Sequence, residues 1–428
     1  MARPSTPKSW EVLIGEQSET SAEVPATVRL LVIAPDGDEF ILGRNDLGVY
    51  VAVPEPGAVF VRALQDGCSL ADATARAGAT AGAEVNGGEF LDGLRAAGLL
   101  DRQRAGGTSQ TAESADGDGR SIRWFEGISP RTARVFFGRP AWALYVGAAV
   151  AAAMVLATRP ALRPSYSHVW WLPDPLLSLV TYVLLGFVLA ALHEVWHWLA
   201  GRSAGVPAAF RISRRGAYLV FETDLSQIVT VNRTARYGPF LAGMAFDVTV
   251  LAGALAARAA YGSGVVEIPP SLDRLLAAVV LALVIGIVWQ WSALFLRSDG
   301  YAVLANALRC HNLFRATVLT TKWRIWGLSG EEAAEFGAIG PRDRAVARWF
   351  GLVYLLGMIG TLWAILIFAL PFLLSTGAWV SANLAAYSLS SVAFWESLAV
   401  LVYLVAGVVG PAVIAWRERR LRRAGALL

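Results

Sequence analysis

The sequence predicts a mainly α, polytopic membrane protein of about six transmembrane helices with a small α+β soluble domain at its N-terminus. Three observations carry this expectation. Of the 428 residues, 55% are hydrophobic and only 16% are charged, and the mean hydropathy is +0.49, well outside the range of an ordinary soluble domain. Beyond residue 139, apolar runs close to the twenty residues that a helix needs to cross hydrocarbon recur one after another. Residues 25–102 read instead as short strands and amphipathic helices separated by turn residues.

In chain order, residues 1–24 are polar and are expected to be disordered. The opening MARPSTPKSWEV lacks the apolar core of a secretory signal, so the first membrane helix is expected to direct insertion. Within residues 25–102, strands are predicted at 28–34 (VRLLVIA), 39–42 (EFIL) and 49–53 (VYVAV), and helices at 56–64, 69–77 and 87–100, with Ser69 able to cap the second. A hairpin packed on three helices looks like a winged helix. The stretch EFILGRNDLGVYVAVPEPGAVFVRALQDGCSLADATA, followed by FLDGLRAAGLL, resembles the leader-peptide recognition element of ribosomal peptide biosynthesis, related to the peptide chaperone of pyrroloquinoline quinone synthesis. The resemblance implies that a peptide adds as a strand to the hairpin edge near residues 28–42. A generic winged helix with a regulatory or scaffolding role is the alternative.

Residues 103–122, QRAGGTSQTAESADGDGRSI, read as a flexible linker, and residues 123–428 as an intramembrane domain with a basic tail. The aromatic and basic residues of 123–139 suit an interfacial helix on an anionic membrane face. Six spans are predicted, at 140–158, 174–199, 237–260, 273–296, 346–374 and 392–416. Lys and Arg concentrate in the loops 201–236 and 297–348 and in the tail from Arg417 to Arg423, while the opposite loops hold few. That asymmetry places both termini in the cytosol of a cell-membrane protein. The net charge of +4 is explained by this bias, and no nucleic-acid module is evident. Cys68 and Cys310, a single distant pair, make no disulfide framework.

The second predicted span ends in His193-Glu194-Val195-Trp196-His197. Residues four apart share one helix face, so both imidazoles can reach one metal ion while Glu194 reaches a metal-bound water. The chain holds only four His, and ionisable groups inside an apolar span are costly unless they are paired or metal-bound. Zinc (Zn2+) is the expected metal, and metal-assisted hydrolysis with Glu194 as general base the expected chemistry. A catalytic zinc takes a third protein ligand. His168 lies among aromatic residues of an external loop, and His311 in a polar segment where it reads as solvated. Asp299, in Arg297-Ser298-Asp299-Gly300 at the end of the fourth predicted span, reaches the same membrane depth as His193 and His197 and is the expected third ligand. Asp247, inside the third span near Gly243, is the competitor, able also to orient a ligand His from behind.

Residues 140–345 resemble the site-2 protease group of intramembrane zinc metalloproteases, in its peptide zinc metalloprotease branch. The matching segments are HEVWH at 193–197, YGPFLAGMAFDVTVL at 237–251 and SDGYAVLAN at 298–306. The resemblance implies His193, His197 and Asp299 as zinc ligands and Glu194 as catalytic base. The customary Asn-Pro before the Asp-Gly pair is replaced by Ala293-Leu294. Residues 214–222 (RRGAYLVFE) read as a strand or hairpin, or else as an ordinary loop; in the resembling enzymes such a sheet pairs with substrate at its edge. Together these features predict an intramembrane zinc endopeptidase cutting near the cytosolic face, with a ribosomally made precursor peptide as substrate and leader removal as the outcome. Regulated cleavage of a membrane-anchored signalling protein, or a non-proteolytic role in peptide export or immunity, stand as alternatives.

Overall fold

The computed structural model describes residues 25–100, 121–122, 128–206, 208–215 and 218–423. It is mainly α, and its described residues fall into two compact units. One draws on Met1–Ser114, Ser226–Tyr237 and Ala305–Gly351, the other on Ala115–Leu225, Gly238–Leu304 and Leu352–Leu428. The expectations of disorder at 1–24, of a linker over 103–120 and of interfacial character at 123–127 lie outside the described residues.

In the first unit a three-stranded antiparallel sheet, β1 (Val32–Asp36), β2 (Glu39–Arg44) and β3 (Val49–Pro54), is followed by α1 (Glu55–Gln65), α2 (Leu70–Ala81) and α3 (Gly87–Ala96). The alternation that predicts strands places Leu42 and Val53 in the core with Phe60, Val61, Leu91 and Leu94 of the helices, and Phe60 meets Phe90 edge to face at 5.3 Å. Ser69 caps α2 by accepting from the Asp72 amide. Three expectations shift: α2 runs on to Ala81, the helix expected over 87–100 ends at Ala96, and residues 26–30 form a 3-10 turn so that β1 begins at Val32. The Gln65 side-chain amide donates to the carbonyls of Val28 and Leu31, and Thr27 donates to that of Leu100. These bonds satisfy the segment without a strand partner.

The rest of this unit gathers around Asp36, which is fully buried at the end of β1. Its carboxylate accepts a fork from Arg233 at 2.9 and 2.6 Å and pairs with Arg236 at 3.0 Å. His311 Nε2 lies 3.3 Å from Glu39 and 3.5 Å from Asp36, so the ring faces two carboxylates where the sequence suggests only solvent. Burial pushes the Asp36 carboxyl up, but the hydrogen bond from Arg233 and the charges of Arg236 and Arg233 together hold it below the usual carboxylate range. A hydrogen bond from His311 likewise lowers that of Glu39.

In the second unit, α4 (Pro130–Phe137) is capped by Ser129 and continues after Gly138 into α5 (Arg139–Thr158). Then comes α6 (Pro175–Ser203), started by Pro175 and by Asp174, which accepts from the Leu177 amide at 2.7 Å. Its 29 residues reach about 43 Å at 1.5 Å per residue. A second sheet joins β4 (Ser121–Ile122), β5 (Ala209–Arg215) and β6 (Tyr218–Asp224) in that order, all antiparallel, with Phe210 opposite Thr223. The hairpin expected over 214–222 therefore extends further on both sides, its turn residues 216–217 lying outside the described set. The last two residues of the expected linker supply the short third strand.

Next come α7 (Arg233–Gly262), whose first residues belong to the other unit, and α8 (Pro270–Ser292); α9 (Asp299–Ala307), α10 (Leu313–Ile325) and α11 (Gly330–Ala338) follow, then α12 (Pro341–Ala364), α13 (Leu370–Ala386) and α14 (Val392–Arg423). Five helices are long and apolar enough to cross a membrane: Pro130–Thr158, Pro175–Ser203, Arg233–Gly262, Pro270–Ser292 and the continuous Pro341–Ala386. In α6 the stripe Val180, Leu184, Val188 and Leu192 is exposed, as suits a lipid-facing surface. The sixth predicted span coincides with α14, whose apolar stretch Val392–Gly407 is shorter. Two span ends also differ from expectation. The helix expected to stop at 374 continues to Ala386, because nothing in STGAWVSANLAA breaks it. The wide π turn Ile365–Ala369 lies directly before Pro371, whose ring has no amide to donate. The helix expected to reach 296 stops at Ser292, for reasons that belong to the site.

Candidate metal centre

The site is assembled from three helices of the second unit. The apolar run of α6 delivers His193 and His197 one turn apart, both buried. Their Nε2 atoms lie 3.1 Å from one another, and each lies 3.0 Å from Asp299 Oδ2. This His-His-Asp group is close enough to hold a metal ion and is the one such cluster among the described residues.

The other face of each imidazole decides what these atoms present. His197 Nδ1 is 2.7 Å from the Pro239 carbonyl oxygen in α7. A carbonyl only accepts, so Nδ1 carries the proton and Nε2 offers a lone pair. His193 Nδ1 is 2.8 Å from Asp247 Oδ2, also in α7, and a carboxylate fixes the same tautomer. With both rings neutral, two imidazole lone pairs and a carboxylate oxygen converge within 3.1 Å, an arrangement that a proton or a cation between them relieves. Tetrahedral zinc with ligands at about 2.0–2.1 Å spaces them about 3.3 Å apart, a few tenths of an ångström from the spacing found. The donor set thus fits a divalent metal, and Asp247 takes the place of a carboxylate behind the histidine rather than that of a third ligand.

Glycine is required where α7 passes this site. A Cβ built on Gly243 would lie 2.2 Å from His193 Nε2 and 2.4 Å from two ring carbons. Gly243 and Asp247, one turn apart, therefore form a seat for one imidazole: the first leaves room for the ring, the second holds its proton.

Asp299 is placed by the end of α8. Ser298 Oγ donates to the Gln290 carbonyl at 2.7 Å, and the Asp299 amide donates to Gln290 Oε1 at 3.0 Å. A Cβ on Gly300 would stand 2.4 Å from that same Gln290 carbonyl. The tripeptide Ser-Asp-Gly thus closes over the last turn of α8. To get there the chain leaves the helix at Ala293 and makes a 3-10 turn at Leu294–Leu296, and Arg297 turns through the left-handed region at φ 56°. These bonds end the span four residues short of expectation.

Glu194 faces the second sheet. Its Oε2 accepts from the Thr223 amide at 2.9 Å, and Thr223 Oγ1 donates back to the Glu194 carbonyl at 2.8 Å. Since β6 is an edge strand and Thr223 sits near its end, an amide that a neighbouring strand does not take is used to orient the carboxylate. His193, Glu194 and Asp247 all border one cavity of about 490 Å3.

The structure therefore brings together His193, His197 and Asp299, with Asp247 behind His193 and Glu194 beside them. It leaves His168 elsewhere, accepting from the Ser165 amide at 3.2 Å, and His311 in the other unit. Sequence reasoning missed Gln290, Thr223, Pro239 and the role of Gly243. Gln290 had a signal, being a polar residue near the end of an otherwise apolar span; the others act through backbone atoms or through an absent side chain and gave none. Comparison with family models, with curated proteins and with solved structures finds no match for this chain.

Proposed function

We propose that the protein is an intramembrane zinc endopeptidase whose metal is held by His193, His197 and Asp299 and whose general base is Glu194. The observation that carries the reading is the convergence of the two Nε2 atoms and Asp299 Oδ2, with both imidazole protons committed to acceptors on the far side. A zinc ion bound there supplies Lewis acidity for a peptide carbonyl and acidifies a water. Asp247 and the Pro239 carbonyl keep the two imidazoles in the tautomer that binds metal. Glu194, anchored on the Thr223 amide, takes a proton from water at its carboxylate and returns it to the departing amine. Gln290 holds the Asp299 backbone in register.

The basic loops and tail favour an orientation with both termini in the cytosol, which sets the cut near the cytosolic membrane face. The substrate that fits the arrangement of modules is a ribosomally made precursor peptide, its leader added to β1, which stands at the edge of its sheet. Co-expression of candidate precursors with the wild-type chain and with Glu194→Gln, read by mass spectrometry, tests the reading. The wild type is expected to release a shortened peptide and the variant none; equal processing by both would dismiss the protease.

A further inference from the structure

The cavity that ends at His193, Glu194, Asp247 and Gln290 has a volume of about 490 Å3, within the range of about 300–1,000 Å3 typical of ligand pockets. Away from this polar end its walls are apolar and come from two helices. Gly186, Phe187 and Ala190 on α6 lie on the stripe that leads to His193 and Glu194, and Gly286 and Trp289 on α8 face them. Whatever fills this space is held against the candidate catalytic groups.

The two glycines differ from the others near the site. Gly243, Gly300 and Gly357 are each pressed against another atom, within 2.4 Å of where a Cβ would stand, and so have a packing reason. At Gly186 and Gly286 a Cβ would meet nothing within 4 Å. Glycine in a helix interior weakens the helix relative to alanine, and no close approach of backbone offsets that here. What both residues provide is width in the apolar part of this cavity.

We propose that this cavity receives a bulky apolar side chain of the substrate next to the scissile bond, and that Gly186 and Gly286 set the largest residue it admits. The inference rests on the protease reading above and adds to it the class of residue recognised. An apolar wall gains from burying Leu, Phe or Trp and penalises an unpaired polar group. The continuity of the space with Glu194 makes the occupant the reacting peptide.

The test uses the full chain, loaded with zinc and reconstituted in phosphatidylethanolamine and phosphatidylglycerol vesicles with a pool of synthetic apolar peptides of mixed sequence. Cut sites are read by mass spectrometry for the wild type, Gly186→Leu, Gly286→Leu and the two corresponding Gly→Ala variants. The wild type is expected to cut beside Leu, Phe or Trp. The Leu variants should keep their zinc and slow Phe- and Trp-flanked cuts at least about tenfold relative to Ala-flanked ones, a few methylenes' worth of pocket discrimination. The Ala variants should fall between, and they keep the test intact if a Leu variant fails to fold. Cuts without apolar enrichment, or slowing by the same factor at every site, overturn the inference and leave the protease standing. No cutting by the wild type of this pool and of the candidate precursors alike overturns the protease and the inference with it. Unchanged cutting together with a lipid that copurifies with wild type and is lost from the Leu variants reassigns the cavity to lipid.

Discussion

Replacing Gly243 by Ala tests how the proposed metal centre is built without reference to any substrate. The added Cβ would stand 2.2 Å from His193 Nε2, whereas ordinary contact begins near 3.4 Å. Relief therefore requires the imidazole, or α7 itself, to move by about 1 Å, and metal–ligand distances tolerate only about 0.2 Å. The ring cannot swing aside cheaply, because Asp247 holds Nδ1 at 2.8 Å. Perturbing the support of a ligand histidine costs about 10–100-fold in affinity, and displacing the ligand itself should reach at least the upper end. Zinc content after dialysis against graded chelator measures this, with Gly253→Ala in the same helix as the control. A Cβ at Gly253 meets nothing within 4 Å, so that variant should keep its metal and gain about 0.5–1 kcal/mol of helix stability. Equal zinc retention by Gly243→Ala and Gly253→Ala would refute the seat described for His193.

Asp299→Ala should abolish zinc retention, whereas Asp247→Ala should weaken it by about 10–100-fold; the opposite order in a chelator titration would exchange their roles. Thr223→Pro removes both the amide that orients the Glu194 carboxylate and the hydroxyl that bonds the Glu194 carbonyl, while sparing the strand pairing. It should lower turnover about tenfold or more, within the contribution of a positioned general base, with zinc content unchanged; loss of zinc instead would show that the sheet supports the metal. Asp36→Asn removes the charge that pairs with the buried Arg236 and the half-buried Arg233 and should destabilise the first unit by about 1–3 kcal/mol, seen as a lower denaturation midpoint. The Asp36 carboxyl is depressed in the folded state. Its stabilisation is therefore present above the ordinary carboxylate range near pH 4 and is lost as pH falls below it. The wild type should show that acid loss, and Asp36→Asn should show less of it.

Those parts of the site that obey local spacing were legible in the sequence. His193 and His197 share a face because they are four apart, and Asp299 is conspicuous as an acid closing an apolar span. The strands and helices of residues 25–102 follow from alternation and caps such as Ser69. Where the reading failed, the cause was tertiary or concerned a boundary. Hydropathy cannot see that the Ser298 hydroxyl and the Asp299 amide bond to Gln290 and end α8 early, since Ala293-Leu294-Phe295-Leu296 is as apolar as what precedes it. The helix through Ala386 ran past its expected end because small residues without charge neither demand nor forbid an end there. His311 looked solvated, and the carboxylates that it faces are those of Asp36 and Glu39, more than 270 positions away in the chain. The carbonyl of Pro239 and the amide of Thr223 are invisible by type, because every residue but proline offers both groups.

X-ray absorption at the zinc edge, on the purified full chain after dialysis, tests the central assignment most directly. One zinc per chain is expected, with only nitrogen and oxygen neighbours at about 2.0–2.1 Å and the multiple-scattering pattern of two imidazoles. That signal should vanish in His193→Ala. A metal-free chain after zinc loading, or sulfur neighbours at about 2.3 Å drawn from Cys68 or Cys310, would contradict it.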